Sequence, residues 1–188
     1  MNRRVSYRVL QDLLRQGRIA HYAGRDAEAK VHYSEALEAA RTAKDWSLES
    51  EALGGLGRTE VWSDPEAARE LLTQAVALIE VRGKGVRVAG LKLHLALACF
   101  DSGDPAEARL LVEANLPILE KQEQDLAVAF GAELLGMILV EEGRRPEALE
   151  QFRRAASRRR QPGGEEAAAL RWRNRRDTVI AQLLGSPA

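Results

Sequence analysis

The chain has 188 residues, and 99 of them, about half, are Ala, Leu, Glu or Arg; so many helix formers with few β-branched competitors predict an all-α protein rather than a sheet-based one. A single cysteine, Cys99, excludes an internal disulfide framework and a multi-cysteine zinc site, and makes the cytoplasm the expected location. The 28 basic and 28 acidic residues cancel overall but are segregated: residues 1–30 carry seven basic and three acidic groups, 31–152 twelve and twenty-two, and 153–188 nine and three. That asymmetry suits either steering of partners or neighbouring helices within one fold.

In chain order, Arg3 and Arg4 are followed by no apolar run, because Arg8, Asp12, Arg15 and Arg18 interrupt it, so neither a signal peptide nor a membrane span is expected. Apolar-periodic stretches at about 5–23, 47–62, 86–101 and 123–142 each predict a helix. After each comes a second start: Gly24-Arg25-Asp26, Asp64-Pro65-Glu66, Asp104-Pro105-Ala106-Glu107 and Arg145-Pro146-Glu147. The two Asp-Pro pairs place an N-cap carboxylate before a proline at the first helical position, and Glu107 adds a capping-box partner. Behind each start a small residue, an apolar one four later and usually a small one three beyond recur: Ala29/Tyr33/Ala36, Ala68/Leu72/Ala75, Ala108/Val112/Asn115 and Ala148/Phe152/Ala155. The leading alanines stand 39, 40 and 40 residues apart, and the spacing puts each trio on one helical face. The unit is therefore a helical hairpin, repeated over about 5–45, 46–84, 85–122 and 123–160. Gly83-Lys84-Gly85 reads as a turn between the second and third, without the Ser or Thr of a phosphate-binding loop. Pro117 is expected to kink the second helix of the third repeat or end it early. Beyond Arg158-Arg159-Arg160 and the stop Gln161-Pro162-Gly163-Gly164, one further helix runs from Glu165 to about Leu184, with Ala169, Trp172, Arg176, Val179 and Leu183 roughly on one side. Residues 161–188 are read as a capping helix and tail of the same domain as 1–160.

The pattern resembles the tetratricopeptide repeat family. Its signature positions fall on Gly17, Ala20, Ala29, Tyr33 and Ala36 in the first repeat, on Ala96, Cys99, Ala108, Val112 and Asn115 in the third, and on Gly136, Leu139, Ala148, Phe152 and Ala155 in the fourth. The second repeat departs: its small first-helix position falls on Leu56, flanked by Gly55 and Gly57, and the next on Thr59, which suggests a shifted first helix. The resemblance covers about residues 10–157, with a period longer than the family's usual ~34 residues. It implies a right-handed α-α superhelix, a solenoid of four hairpins plus the capping helix, whose first helices line a concave surface.

The resemblance further implies a non-catalytic scaffold or adaptor that binds a peptide or helix there. The family's groove positions fall on Leu14, Arg18, His21 and Tyr22, then Leu53, Glu60 and Val61, then Leu93, Leu97, Phe100 and Asp101, then Phe130, Glu133, Met137, Val140 and Glu141. If Leu93, Leu97, Phe100, Phe130, Met137 and Val140 form an open stripe, its acidic rim at Asp101, Glu133 and Glu141 suits an apolar or amphipathic segment with basic residues, or a second copy of the chain. The same side chains could instead pack within the repeats. A nucleic-acid surface is the alternative, built from Arg158, Arg159 and Arg160 with Arg171 and Arg173 around Trp172. His21, His32, His94 and Cys99 lack metal-ligand or nucleophile-base spacing, and the many carboxylates mark no acid-base pair, so no cofactor, metal or enzymatic activity is expected.

Overall fold

The computed structural model describes residues 7–81, 85–159 and 167–185, the side chains of 167–171 and 173 excepted. Among the described residues are nine helices: α1 (Tyr7–Tyr22), α2 (Asp26–Ala43), α3 (Trp46–Glu60), α4 (Pro65–Glu80), α5 (Val86–Asp101), α6 (Pro105–Lys121), α7 (Asp125–Glu141), α8 (Arg145–Arg158) and α9 (Ala167–Gly185). They divide into two compact units, residues 1–84 with α1 to α4 and residues 85–188 with α5 to α9. No described helix is long and apolar enough to cross a membrane. Of the Gly83-Lys84-Gly85 turn, only Gly85, the residue before α5, is among the described residues, and Arg160 to Gly164 lie outside them.

Helices begin where short acidic side chains meet free N–H groups. The Ala67 N–H donates to Asp64 at 3.0 Å and the Glu107 N–H to Asp104 at 3.1 Å, each ahead of a proline in the first turn. Asp45, which has no proline after it, caps α3 by accepting from the Ser47 and Leu48 N–H groups at 3.0 and 3.1 Å. Such a cap satisfies donors that the helix itself leaves unpaired. Asp104→Ala is therefore expected to lower stability by about 1 kcal/mol, read as a lower urea midpoint with an unchanged slope; an unchanged midpoint would contradict a stabilising cap. Pro117 does not end its helix, since α6 runs on to Lys121. The proline is exposed, and the carbonyl it deprives of a donor belongs to Glu113, also on the exposed side. Asn115, the polar residue of the third trio, is buried but donates from Nδ2 to the Leu111 carbonyl at 2.7 Å.

In the first unit α1 pairs with α2 and α3 with α4, and α3 packs back on both α1 and α2. Ala29, Ala68, Ala108 and Ala148 are all fully buried, and each is the fourth residue of its helix, so the alanine period marks one repeated structural position. The residue four later, Tyr33, Leu72, Val112 or Phe152, is also buried. Enclosing a side chain as completely as Leu72 contributes roughly 1.5–3 kcal/mol. Close approach is made possible by glycine. A Cβ on Gly17 would stand 2.9 Å from the Tyr33 ring, one on Gly55 only 2.4 Å from the same ring, and one on Gly136 2.9 Å from Phe152. Ser50, buried on α3, donates to the Ala75 carbonyl of α4 at 2.8 Å and fastens that hairpin.

The second repeat corrects the expected frame. Gly57, not Leu56, faces the large residue of the paired helix, with its would-be Cβ 2.5 Å from Leu72. Gly57 lies 11 residues before Ala68, whereas Gly17 and Gly136 lie 12 before Ala29 and Ala148. The turn accounts for the difference. Turns after α1, α5 and α7 each contain a glycine at positive φ, Gly24 (74°), Gly103 (86°) and Gly143 (75°), where other residues are strained. The Val61-Trp62-Ser63 turn has no glycine, and α3 leaves through Val61 in right-handed backbone. Thr59 is buried beside it and donates to the Leu56 carbonyl at 2.7 Å.

In the second unit α5 pairs with α6 and α7 with α8, while α7 packs on α5 and α6, and α9 packs on α7. Gly131 of α7 leaves room for two leucines: its Cβ would lie 2.8 Å from Leu116 of α6 and 3.2 Å from Leu93 of α5.

Candidate partner-binding site

The first helices of the second unit, α5 and α7, carry the apolar stripe. On α5, Leu93, Leu97 and Phe100 recur at i, i+4 and i+7, one face of a helix. The open-stripe expectation fails for most of them, because Leu93, Leu97, Phe100 and Met137 are all buried in the folded chain. For Leu93 the reason is the Gly131 gap, which admits it to the packing between α5, α6 and α7. Phe130 is half-buried, Val140 also, and Glu141 is exposed at the end of α7. Cys99 is buried among its neighbours as a small apolar side chain.

What covers the remaining stripe is α9. Trp172, 6% exposed, stands edge-on to Phe130 with ring centroids 4.9 Å apart, and His94 of α5 lies on Phe130 at 5.2 Å. Edge-on aromatic pairs contribute about 0.5–1.5 kcal/mol beyond their buried area. The indole Nε1–H donates to Glu133 Oε2 at 2.6 Å. Arg176, one helical turn on, donates to Glu133 Oε1 at 2.8 Å, and Arg159, just past α8, grips both carboxylate oxygens at 3.0 and 2.8 Å. Glu133 is thus a rim residue in the sequence reading but a buried anchor in the structure, with four donors on its two oxygens. Arg175 reaches Asp101 at the end of α5, at 2.6 Å to Oδ1 and 2.9 Å to Oδ2, with its guanidinium carbon 5.3 Å from the Phe100 ring centre. The terminal helix expected as a cap is therefore present, and what it covers is the first-helix face of the second unit.

Burial raises the Asp101 carboxyl above its ordinary value, and the Arg175 charge and hydrogen bond offset this only in part. The folded chain accordingly holds this proton more tightly than the unfolded chain, so the site costs stability above the folded-state value, and that cost fades as pH falls toward the ordinary aspartate value of about 3.9. Asp101→Asn is expected to leave the melting temperature at pH 7 unchanged or raise it, with variant and wild type converging in acid. A loss at pH 7 of more than about 4 °C would contradict this balance.

In the first unit the expected groove residues part company. His21 is buried and bonded through Nδ1 to Asp26 Oδ1 at 3.0 Å, so it closes the α1–α2 turn rather than facing a groove. Arg18 and Tyr22 are exposed on α1, with Arg18 3.9 Å from Glu51 of α3. Leu14, Leu53 and Val61 are buried, and Glu60 is bound by Lys30 at 2.7 Å.

Of the arginines of the nucleic-acid alternative, the two whose side chains are described, Arg158 and Arg159, are both paired within the chain, as is their neighbour Arg154. Arg158 pairs with Asp125 at 3.1 Å, Arg159 with Glu133, and Arg154 with Glu120 at 2.5 Å. Arg160 and the side chains of Arg171 and Arg173 lie outside the described residues. Guanidiniums already neutralised by carboxylates release little on meeting phosphate. Among the described residues no three His, Cys, Asp or Glu side chains converge as metal ligands.

No family profile and no curated protein matches the chain. Its fold does match solved structures. Two crystal structures of a Podosopora anserina protein assigned as a kinesin light chain, with nearly identical TPR-like repeats, superpose with a TM-score of 0.67 over 94% of this chain and 93% of theirs. One of the two is a point-substituted form, and both are 17% identical to this chain. The chain has the tetratricopeptide-like helical-repeat fold that the resemblance implies.

Proposed function

We propose that the chain is a non-catalytic interaction scaffold or adaptor, acting in the cytoplasm, that docks a peptide or helix of a partner protein on its first-helix faces. The observation that carries this reading is the seating of α9: the face of α5 and α7 already holds a helix through one buried indole and two guanidiniums. Aromatic and arginine anchors in desolvated pockets are the contacts that dominate protein interfaces. The exposed Arg18 and Tyr22 on α1 belong to the same proposal for the first unit.

A photo-crosslinking residue placed at Tyr22 or Phe130, compared with control positions Glu70 on α4 and Leu110 on α6, tests the reading in the source cells. Adducts with another protein are expected at the first-helix positions in excess of the controls. Equal yields at all four positions would contradict it. Adducts only between copies of the chain would assign the face to self-association, and light scattering over a concentration range would then show a dimer.

A further inference from the structure

We infer that α9 is a built-in occupant of the α5–α7 face, and that the external partner for this face is a helix presenting the same Trp-x-x-Arg-Arg arrangement as Trp172, Arg175 and Arg176. This rests on the scaffold reading above and names the ligand chemistry of that site. Each anchor has a complement on the face. Phe130 and Glu133 together take an indole, ring edge against ring and N–H on carboxylate. Glu133 takes a second donor one turn later, and Asp101 with the Phe100 ring takes a guanidinium by charge and by cation–π contact.

Charge complementarity selects this partner over an acidic or purely apolar one. Without α9, Arg159 alone would remain on Glu133, and Asp101 would lose its Arg175 contact. A vacant face therefore offers two rings and the charge of Asp101, with one acceptor position on each Glu133 oxygen released. After Arg176, Val179, Ile180 and Leu183 are only half-buried and Leu184 is 71% exposed. A helix that docks through a few such anchors can be exchanged for another with the same anchors, because affinity at such a site resides in those anchors rather than in total area.

The test uses the full chain and, as probe, a fluorescein-labelled synthetic peptide of residues 165–185. In the full chain, Trp172→Ala/Arg175→Ala/Arg176→Ala removes the anchors of α9 and leaves the face intact. The peptide is expected to bind this variant at least tenfold more tightly than wild type. Adding Glu133→Gln to the variant, or making the same three alanine changes in the peptide, is expected to weaken binding at least tenfold. Arg175→Glu/Arg176→Glu, which keeps Trp172, serves as a second released form should the triple variant lose helicity by circular dichroism. Equal affinity for wild type and released chains, binding indifferent to Glu133, or no binding to a released chain of normal helicity would each overturn the inference. So would concentration-dependent dimers of wild type held by exchanged α9, which would make a second copy the occupant. Failure here with partner adducts at Phe130 would leave the scaffold reading standing. Tight peptide binding without such adducts would overturn the scaffold reading and with it the external partner, leaving α9 as the occupant of the face.

Discussion

Glu133→Ala is expected to free α9 from the second unit at a cost of about 2–4 kcal/mol. Breaking a fully buried ion pair costs roughly 3–5 kcal/mol, chiefly because a charge is left without compensation in a dry site. Here the stranded groups are two guanidiniums that reach water in part, with side-chain exposures of 30% for Arg159 and 18% for Arg176, which places the cost below that of complete enclosure. The loss should appear locally. The four alanine positions and the glycine contacts that pair the hairpins do not involve α9, so the hairpins should keep their helicity while amide exchange rises across residues 172–183. Glu133→Gln keeps an acceptor for the indole and one guanidinium but removes the charge, and is expected to fall between wild type and alanine. A Glu133→Ala chain with wild-type exchange in α9 would show that the carboxylate does not hold the helix.

The second large effect concerns a position with no charge at all. Gly55→Ala is expected to destabilise the first unit by about 1–3 kcal/mol, the range for overpacking a filled core. The added methyl would lie 2.4 to 2.6 Å from three ring atoms of Tyr33, and the ring cannot swing away because Gly17 of α1 closes the other side at 2.9 Å. This outweighs the roughly 0.5–1 kcal/mol that alanine gains over glycine inside a helix. Gly90 supplies the control: it is also inside a helix, α5, yet nothing stands within 4 Å of its would-be Cβ. Gly90→Ala should therefore stabilise by about that helix-propensity gain. Thermal melts of the two variants should move in opposite directions; movement in the same direction would contradict the close-packing account.

These two cases mark what the sequence discloses and what it hides. The hairpins were legible because their signals are local: a cap, a proline, and an alanine with its partners on one face repeat at nearly constant spacing, as in Asp64-Pro65 with Ala68, Leu72 and Ala75. The frame of the second repeat was less so, because three consecutive positions, Gly55, Leu56 and Gly57, are all buried and only the missing turn glycine shifts the register. The candidate site was the least legible part. A first helix in this fold packs against its own hairpin partner and against the next first helix, so an apolar stripe such as Leu93, Leu97 and Phe100 has the same appearance whether buried or open. The pairing of Glu133 with Trp172 spans 39 residues, beyond any local pattern. Two signs pointed to it: a lone carboxylate in the apolar run from Leu126 to Val140, and Trp172 and Arg176 one turn apart on the last helix.

The seating of α9 on the first-helix face is tested most directly by the tryptophan that anchors it. Trp46 and Trp62 replaced by phenylalanine leave Trp172 as the sole indole. Its emission is expected to be blue-shifted and poorly quenched by acrylamide, as befits a side chain 6% exposed, and to become red-shifted and readily quenched when Glu133→Ala is added. Quenching in the otherwise wild-type chain as free as that of an indole in a short peptide would contradict the account.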